Sequence, residues 1–565
     1  MKPVFLAKHL KTAMKSPENH HLHQAEQLLS TLMEEIPRIQ TFKGKWAIIK
    51  NKLNNFPTQL HQLSEFPTFS TSPLASELVQ SISQTLANAL SLTTKCTKPN
   101  LIDGKLRTQS DIDSVSAVLD QHIKDIELII KTGVLQDSAV VNTPKSTRES
   151  VRVEARNLIT RLQIGNSESK NAAIDSLLGL LYEDDKNVLI VVAQGLLPIL
   201  VRLLDSSCLE VKEKAVSAIS RVLVVDSCKH VLVAEGVLLI NHLLRILESR
   251  SGFAKEKACV ALQALSFSRE NARAIGCRSG ISSVLEICQS GTLVSQAYAA
   301  GVLRNLAGFV EIRQNFVDEN AIPVLIRLSN SGTFVAQENA IGCLSNLVSE
   351  DESLKLLVFR EGGIECLKNF WDAAPTVQSL EVAVGLLRNL VSCKSIREAL
   401  VNGAFIDEIM GALNCGVVSV RIAAAGAIYE LGFSSKMRRE LAEVGIIPQL
   451  VRMLDAKAVE EKEMVAKALS SLLLNSRNRR LFTKEEKAID CVVQLLDPLL
   501  QNLDKTYLIS VLASIASSKK CRKQMVAAGA CAYLQKLAER DIAGARKLHD
   551  RLDGNNIWGV FARTK

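Results

Sequence analysis

The nine histidines and thirteen cysteines are the side chains best suited to metal binding or nucleophilic chemistry, and neither set forms a site by its spacing. His20, His21 and His23 cluster in a polar stretch that lacks the cysteine or acidic frame a zinc site requires. The cysteines include no C-x-x-C pair, and many, such as Cys259, Cys343 and Cys366, sit in apolar helical runs. That usage reads as reduced, buried thiol and not as a disulfide or metal frame. There is no phosphate-cradling glycine loop and no G-x-S-x-G. These patterns point away from catalysis, cofactors and resident metals. What does recur is an amide. Asn305, Asn346 and Asn389 stand in LRNLAG, LSNLVS and LRNLVS, one to each of three successive repeats. A primary amide both donates and accepts, so a row of them suits an extended backbone.

Such a row needs elements that repeat at the same interval. After residue 150 the chain is filled by one repeating unit, about 42 residues long. A short helix ends at a glycine turn, a second helix follows, and a small-residue third helix closes the unit. Equivalent junctions fall at Gly195, Gly236, Gly280, Asn320, Gly363, Gly403, Gly445, Lys487 and Gly529. A period that steady predicts stacked units, an all-α solenoid over 148–552, with the first and last units incomplete. In SKMRRELAEVGIIPQLVRMLDAKAVEEKEMVAKALSSLLL, Gly445 permits the turn and Pro448 opens the second helix. Leu450, Val451 and Leu454 then point inward, as do Val465, Ala468, Leu469 and Leu472. Hydrophobic residues make up 47% of the chain and aromatic ones only 4%, so the core is aliphatic.

Residues 1–135 lack the period and read as a helical bundle. Helices are predicted over 24–36, 42–64 and 75–95. A fourth is capped by Ser110, with Asp113 completing the capping pattern. Its stripe is Ile112, Val115, Leu119, Ile123, Ile126 and Ile130, and Gly133 ends it. Residues 136–147 read as a polar linker, and 553–565 as a tail whose Trp558 and Phe561 dock on the last helices.

The pattern R-x-x-h-x-x-x-G-x-h-P-x-L-h-x-L-L, then A-x-x-A-h-x-N-L, resembles the armadillo repeat. AQGLLPILVRLL at 193–204 and AAGVLRNLAG at 299–308 are close matches. The glycine turn and the third-helix asparagine favour it over the related HEAT repeat. FKGKWAIIKNKL at 42–53 and GKLRTQSDIDSVSAVLDQHIKDIELIIKTGVL at 104–135 resemble the N-terminal domain of plant armadillo proteins. Those include U-box ubiquitin ligases and relatives without a U-box. The linker here is too short to hold a U-box, so the resemblance does not extend to ligase activity. It implies a scaffold or adaptor whose third helices line a concave groove. An extended partner segment would then lie along Asn305, Asn346 and Asn389, flanked by Arg304, Ser345 and Arg388. Equivalent positions elsewhere are Arg221, Ala264, Glu430, Ser471 and Ser514. One helical turn before the row stand Gly301, Gly342, Gly385 and Gly426, where importin-α places tryptophan. The resemblance is therefore nearer to β-catenin and to yeast vacuolar armadillo scaffolds.

A second series is basic: Arg273, Arg313, Lys355, Arg397, Arg438, Arg480 and Arg522, thickened by Lys519, Lys520 and Lys523. Arg438, Arg480 and Arg522 recur at the period of the repeat. This is a stripe for acidic proteins or phosphoinositides, a solvated edge, or arginine bonding local carbonyls. Nucleic acid is not expected, because no aromatics interleave with these cations. The net charge of +9 is a mild basic bias. The N-terminus has no signal-peptide core, and no apolar run is long enough to span a bilayer. The expected compartment is the cytoplasm or nucleus, with membrane contact at most peripheral, at the plasma membrane. Two alternatives to a groove-binding scaffold stand: a phosphoinositide-binding scaffold using the basic edge, and an accessory subunit of a ubiquitin ligase.

Overall fold

The computed structural model describes residues 17–97, 104–135, 147–228, 236–373, 376–400 and 405–561. No strand occurs among them. The side chains of Trp558 and Phe561, Gly403, and residues 136–146 of the linker fall outside what is described. The chain divides into two compact units, Met1–Ile246 and Leu247–Lys565. The division falls inside the repeats, so the bundle and the first repeats share one unit.

In the first unit, Pro17–Glu35, Pro73–Cys96 and Lys105–Thr132 are the long bundle helices. The predicted helix over 42–64 is two, Lys43–Leu53 and Phe56–Ser64. Pro57 has no N–H to give the Leu53 carbonyl, so the helix cannot run through. The last bundle helix starts at Lys105 after Gly104, which has φ +82°. Ser110 is therefore interior to it, not its cap. Asp113 instead accepts from the Lys45 ammonium at 2.5 Å. Lys52 reaches Asp120 at 2.6 Å, a second tie between the same two helices. Gly133 ends the helix in the left-handed region at φ +64°. Ile112, Val115, Leu119 and Ile126 are buried as expected, whereas Ile123 and Ile130 are only partly buried. His122 and Ile129 take the inward places. Ile164, at the end of the first solenoid helix Thr147–Ile164, packs on the bundle core, so the two parts share apolar surface.

The repeats follow the predicted plan. Gly445 turns the chain at φ +86°, and Pro448 lies in the first turn of Ile446–Met453. Leu450, Val451, Leu454, Val465, Ala468, Leu469 and Leu472 are all buried. Each fully buried large aliphatic side chain contributes about 1.5–3 kcal/mol, and most of that burial requires a neighbouring unit. In the second unit the third helices pack each on the next: Gly252–Leu265, Leu293–Ala307, Phe334–Leu347, Val377–Val391, Val418–Leu431, Val459–Leu472 and Lys505–Ile515.

The left-handed residue is the one immediately before the second helix: Gly195, Asn320, Gly445 and Gly529, as predicted, but also Gly362 and Phe405. Gly363 is thus displaced by one. Lys487 has φ −95°, because a longer connection separates Ser476–Phe482 from Ala488–Gln494 and no sharp turn is needed. Gly280 lies inside the helix Arg278–Ser290. It is small for another reason: a Cβ there would collide with the Ile275 carbonyl oxygen. No single described helix is long and apolar enough to cross a membrane.

Gly280→Ala must push backbone aside and costs about 1–3 kcal/mol. By contrast, Gly179→Ala, in the helix Ser167–Glu183 with nothing within 4 Å, gains about 1 kcal/mol. Urea denaturation of the two variants measures both signs. His122 adds a dependence on pH. Its Nε2 meets Thr85 Oγ1 at 3.0 Å while Nδ1 is buried without a partner. Burial lowers its pKa from 6.5. As pH falls below 6.5 the unfolded chain takes up a proton that the folded chain resists, so stability is lost on acidification. Asp125, raised by burial, works in the opposite direction. The loss between about pH 7 and 5.5 should be smaller in His122→Gln than in wild type; an equal loss would remove His122 as its source.

Candidate peptide-binding face

The last carbonyls of any helix lack intrahelical donors. In three layers of this chain the next repeat supplies a donor, and the supplier is the amide row. Asn305 Nδ2 donates to Ser266 Oγ at 2.7 Å and to the Gln263 carbonyl at 3.3 Å. Asn346 Nδ2 donates to the Arg304 carbonyl at 2.9 Å, and Asn389 Nδ2 to the Ser345 carbonyl at 2.9 Å. Other residues in the same register do the same work with other groups. Arg221 Nε donates to the Leu181 carbonyl at 3.1 Å in the first unit. Ser471 Oγ reaches the Gly432 carbonyl at 3.1 Å in the second. Each bond ties a third helix to the one before it.

The predicted asparagines therefore have a structural duty that their spacing alone did not reveal. They are half-buried, and the bond fixes the plane of each amide. Oδ1 of each has no protein partner among the described residues; Asn305 and Asn389 each meet two acceptors through Nδ2, and Asn346 meets one. Three consecutive layers thus present an oriented amide acceptor.

The neighbours are placed by the same register. The residue before each row position lies over the glycine of the following unit. A Cβ on Gly342 would meet Arg304 Nε at 2.6 Å, one on Gly426 would meet Arg388 Nε at 2.8 Å, and one on Gly385 would meet Ser345 Oγ at 3.4 Å. On Gly301 it would collide with Gln263 Nε2. The glycines are seats for these side chains. Arg304 is held further by Asn339 Oδ1 at 3.3 Å. Beside the row, Gln263, Leu293, Val294, Tyr298, Val335 and Asn339 line a mostly apolar cavity of about 330 Å³. Leu293, Val294 and Val335 are each at least half exposed there.

The basic series does not form one surface. Arg438 donates to the Gly432 and Phe433 carbonyls, and Arg522 to the Ala516 and Ser517 carbonyls. Arg313 caps the Ala307 carbonyl in the same way. Arg273 is paired with Glu311, whose carboxyl the Arg269 and Arg273 guanidinia hold down to about 2. Lys355 is buried and bonds Ser392. Of the three arginines at the repeat spacing, only Arg480 stands exposed. No group of three or more metal-ligating side chains occurs among the described residues. All thirteen cysteines are unpaired. Burial pushes the Cys259 thiol up to about 12 and the Cys366 thiol up to about 11.

Because the row is also a set of staples, Asn346→Ala leaves the Arg304 carbonyl without its donor and costs about 1 kcal/mol. Asn346→Ser, which copies the hydroxyl that serves at Ser471, should recover most of that. Chemical denaturation that found the two variants equal would show that the bond contributes nothing.

Residues 184–223 and 310–349 match the armadillo/β-catenin-like repeat family. Residues 23–134 match a domain of unknown function, DUF7032. No curated protein matches the chain. Among solved structures, a crystal structure of an engineered protein is 22% identical, with a TM-score of 0.62, and covers 71% of this chain and 98% of its own. A second engineered protein is 24% identical, with a TM-score of 0.39, and covers 43% of this chain and 97% of its own. The repeat matches, the all-helical structure and the first of these likenesses agree on one fold: the protein is an all-α solenoid of armadillo repeats, preceded by a domain similar to DUF7032.

Proposed function

We propose that this protein is a non-catalytic interaction scaffold that holds an extended segment of a partner protein along Asn305, Asn346 and Asn389. The observation that carries the reading is the pinned amide row. Each asparagine spends its Nδ2 on the preceding layer and keeps an oriented Oδ1. Helix layers stack about 10 Å apart, and an extended chain rises about 3.3 Å per residue. Three layers therefore match a segment of about six to nine residues. Arg304, Ser345 and Arg388, seated on the next unit's glycines, flank the path. The apolar cavity at Leu293, Val294 and Val335 offers a place for one hydrophobic side chain of the segment. The unpaired cysteines favour a reducing compartment, cytoplasm or nucleus. The basic-edge reading loses support, since Arg438 and Arg522 already cap carbonyls. An accessory role in a ubiquitin ligase rests on the N-terminal resemblance alone.

The test separates stapling from binding. Random dodecapeptides are selected by display on the full chain, and their affinities are compared with those for an Asn305→Ser, Asn346→Ser, Asn389→Ser variant. Serine keeps a donor for the staple and removes the amide acceptor. At about 1 kcal/mol per lost bond, the variant should bind the selected peptides about a hundredfold more weakly while unfolding near the wild-type midpoint. Peptides that bind a folded variant as tightly as wild type would end the proposal.

A further inference from the structure

The register that places arginine over glycine changes two layers beyond Asn389. One helical turn before Ser471 stands Lys467 instead of glycine, and the residue it faces on the preceding third helix is Tyr429. The Lys467 ammonium lies 4.6 Å from the Tyr429 ring centroid and 5.6 Å from that of Tyr507 on the following third helix. The two rings meet edge to face at 6.4 Å. Lys467 makes no ion pair among the described residues, and Glu463, one turn before it, is not within ion-pair distance. Tyr429 and Tyr507 line a cavity of about 410 Å³ together with Arg397, Phe433 and Ser510.

The polar groups around this cavity are unbalanced. Glu430 is already bound by Arg397 at 2.5 Å. Arg397 Nε is buried and has no acceptor. The Tyr429 and Tyr507 hydroxyls have no hydrogen-bond partner among the described residues, and neither does the exposed Ser510 hydroxyl. The unused lining groups can all donate, and the Lys467 ammonium, itself not among the lining residues, lies against the two rings that line the cavity. Arg397 Nε, a buried donor without an acceptor, costs free energy that an anion would recover. The rings hold the ammonium in place without neutralising it.

We propose that Tyr429, Lys467 and Tyr507 form a subsite for the carboxylate of an Asp or Glu in the extended partner segment. This rests on the groove reading above and adds a chemical class to it: the segment is acidic about six residues beyond the part held at Asn389, two layers on. The site lies on the same row of third helices and in the same register as the asparagines, so one continuous chain reaches both.

The display selection on the full chain tests it with two further variants, Lys467→Glu and Lys467→Met. Wild type should enrich peptides with Asp or Glu at one end. Lys467→Glu should reverse the enrichment to Lys or Arg. Lys467→Met should weaken the acidic peptides at least about tenfold, with a shallower dependence on salt. An acid-blind selection, or an acidic preference unchanged in Lys467→Glu, overturns the subsite. So does binding to vesicles of phosphatidylcholine doped with phosphatidylinositol phosphate that depends on Lys467 when no acidic peptide is retained. Acidic peptides sensitive to Lys467 but indifferent to the triple serine variant would keep the subsite and sink the asparagine row. The reverse pattern would keep the row and sink the subsite.

Discussion

The structure depends on helices too short to satisfy their own ends. The third helix of each repeat is only a few turns long and finishes with carbonyls that need donors. In several layers the following repeat provides one, from a side chain at a fixed place in its own third helix: Asn305, Asn346, Asn389 or Ser471. Side chains in the next first helix provide another, as Arg313, Arg438 and Arg522 do. A repeat therefore needs its neighbour twice, for apolar burial and for the polar ends of its helices. Burial supplies most of the free energy, and the bonds set the register at which the layers stack.

That register decides what the third-helix face can bind. The residue beside each staple rests on a position one turn before the next layer's staple. Where that position is glycine, the resting side chain can be long and basic and still lie flat, as Arg304 and Arg388 do. Where it is Lys467, the partner is an aromatic ring, and the face changes from arginine seated on glycine to an ammonium set against a ring. The same packing rule thus yields two kinds of surface on one row of helices.

At the other end, the bundle is not an appendage to the repeats. Ile164 of the first solenoid helix joins the bundle core, and the Asn166 N–H reaches the Glu77 carboxylate at 3.4 Å. The incomplete first repeat, which lacks a first helix to cover it, meets the bundle there through Ile164 and Asn166. This answers the problem that every solenoid end faces, an exposed stacking face, with a folded domain in place of a polar cap.

The period, the helical class, the aliphatic core and most junction turns were legible in the chain itself, because each is a local rule repeated at a constant interval. Gly195, Gly445 and Gly529 announced left-handed turns that only local geometry was needed to predict. The Asn row was legible as a row. Its first duty was not, since the carbonyls it caps lie a full repeat away on another helix. Nor was the sorting of the basic series into carbonyl caps, ion pairs and residues left exposed. The helix start at Lys105 escaped because Ser110 and Asp113 imitate a cap, and the competing partner of Asp113, Lys45, is remote in the chain on another helix. Lys467 between two tyrosines escaped for the same reason: three residues from three repeats meet only when the layers are stacked. Sequence alone determined the unit and its repetition, which are set by neighbours along the chain. Tertiary structure alone decided which polar groups are spent on holding the layers together and which are left unused, because that is set by neighbours across it.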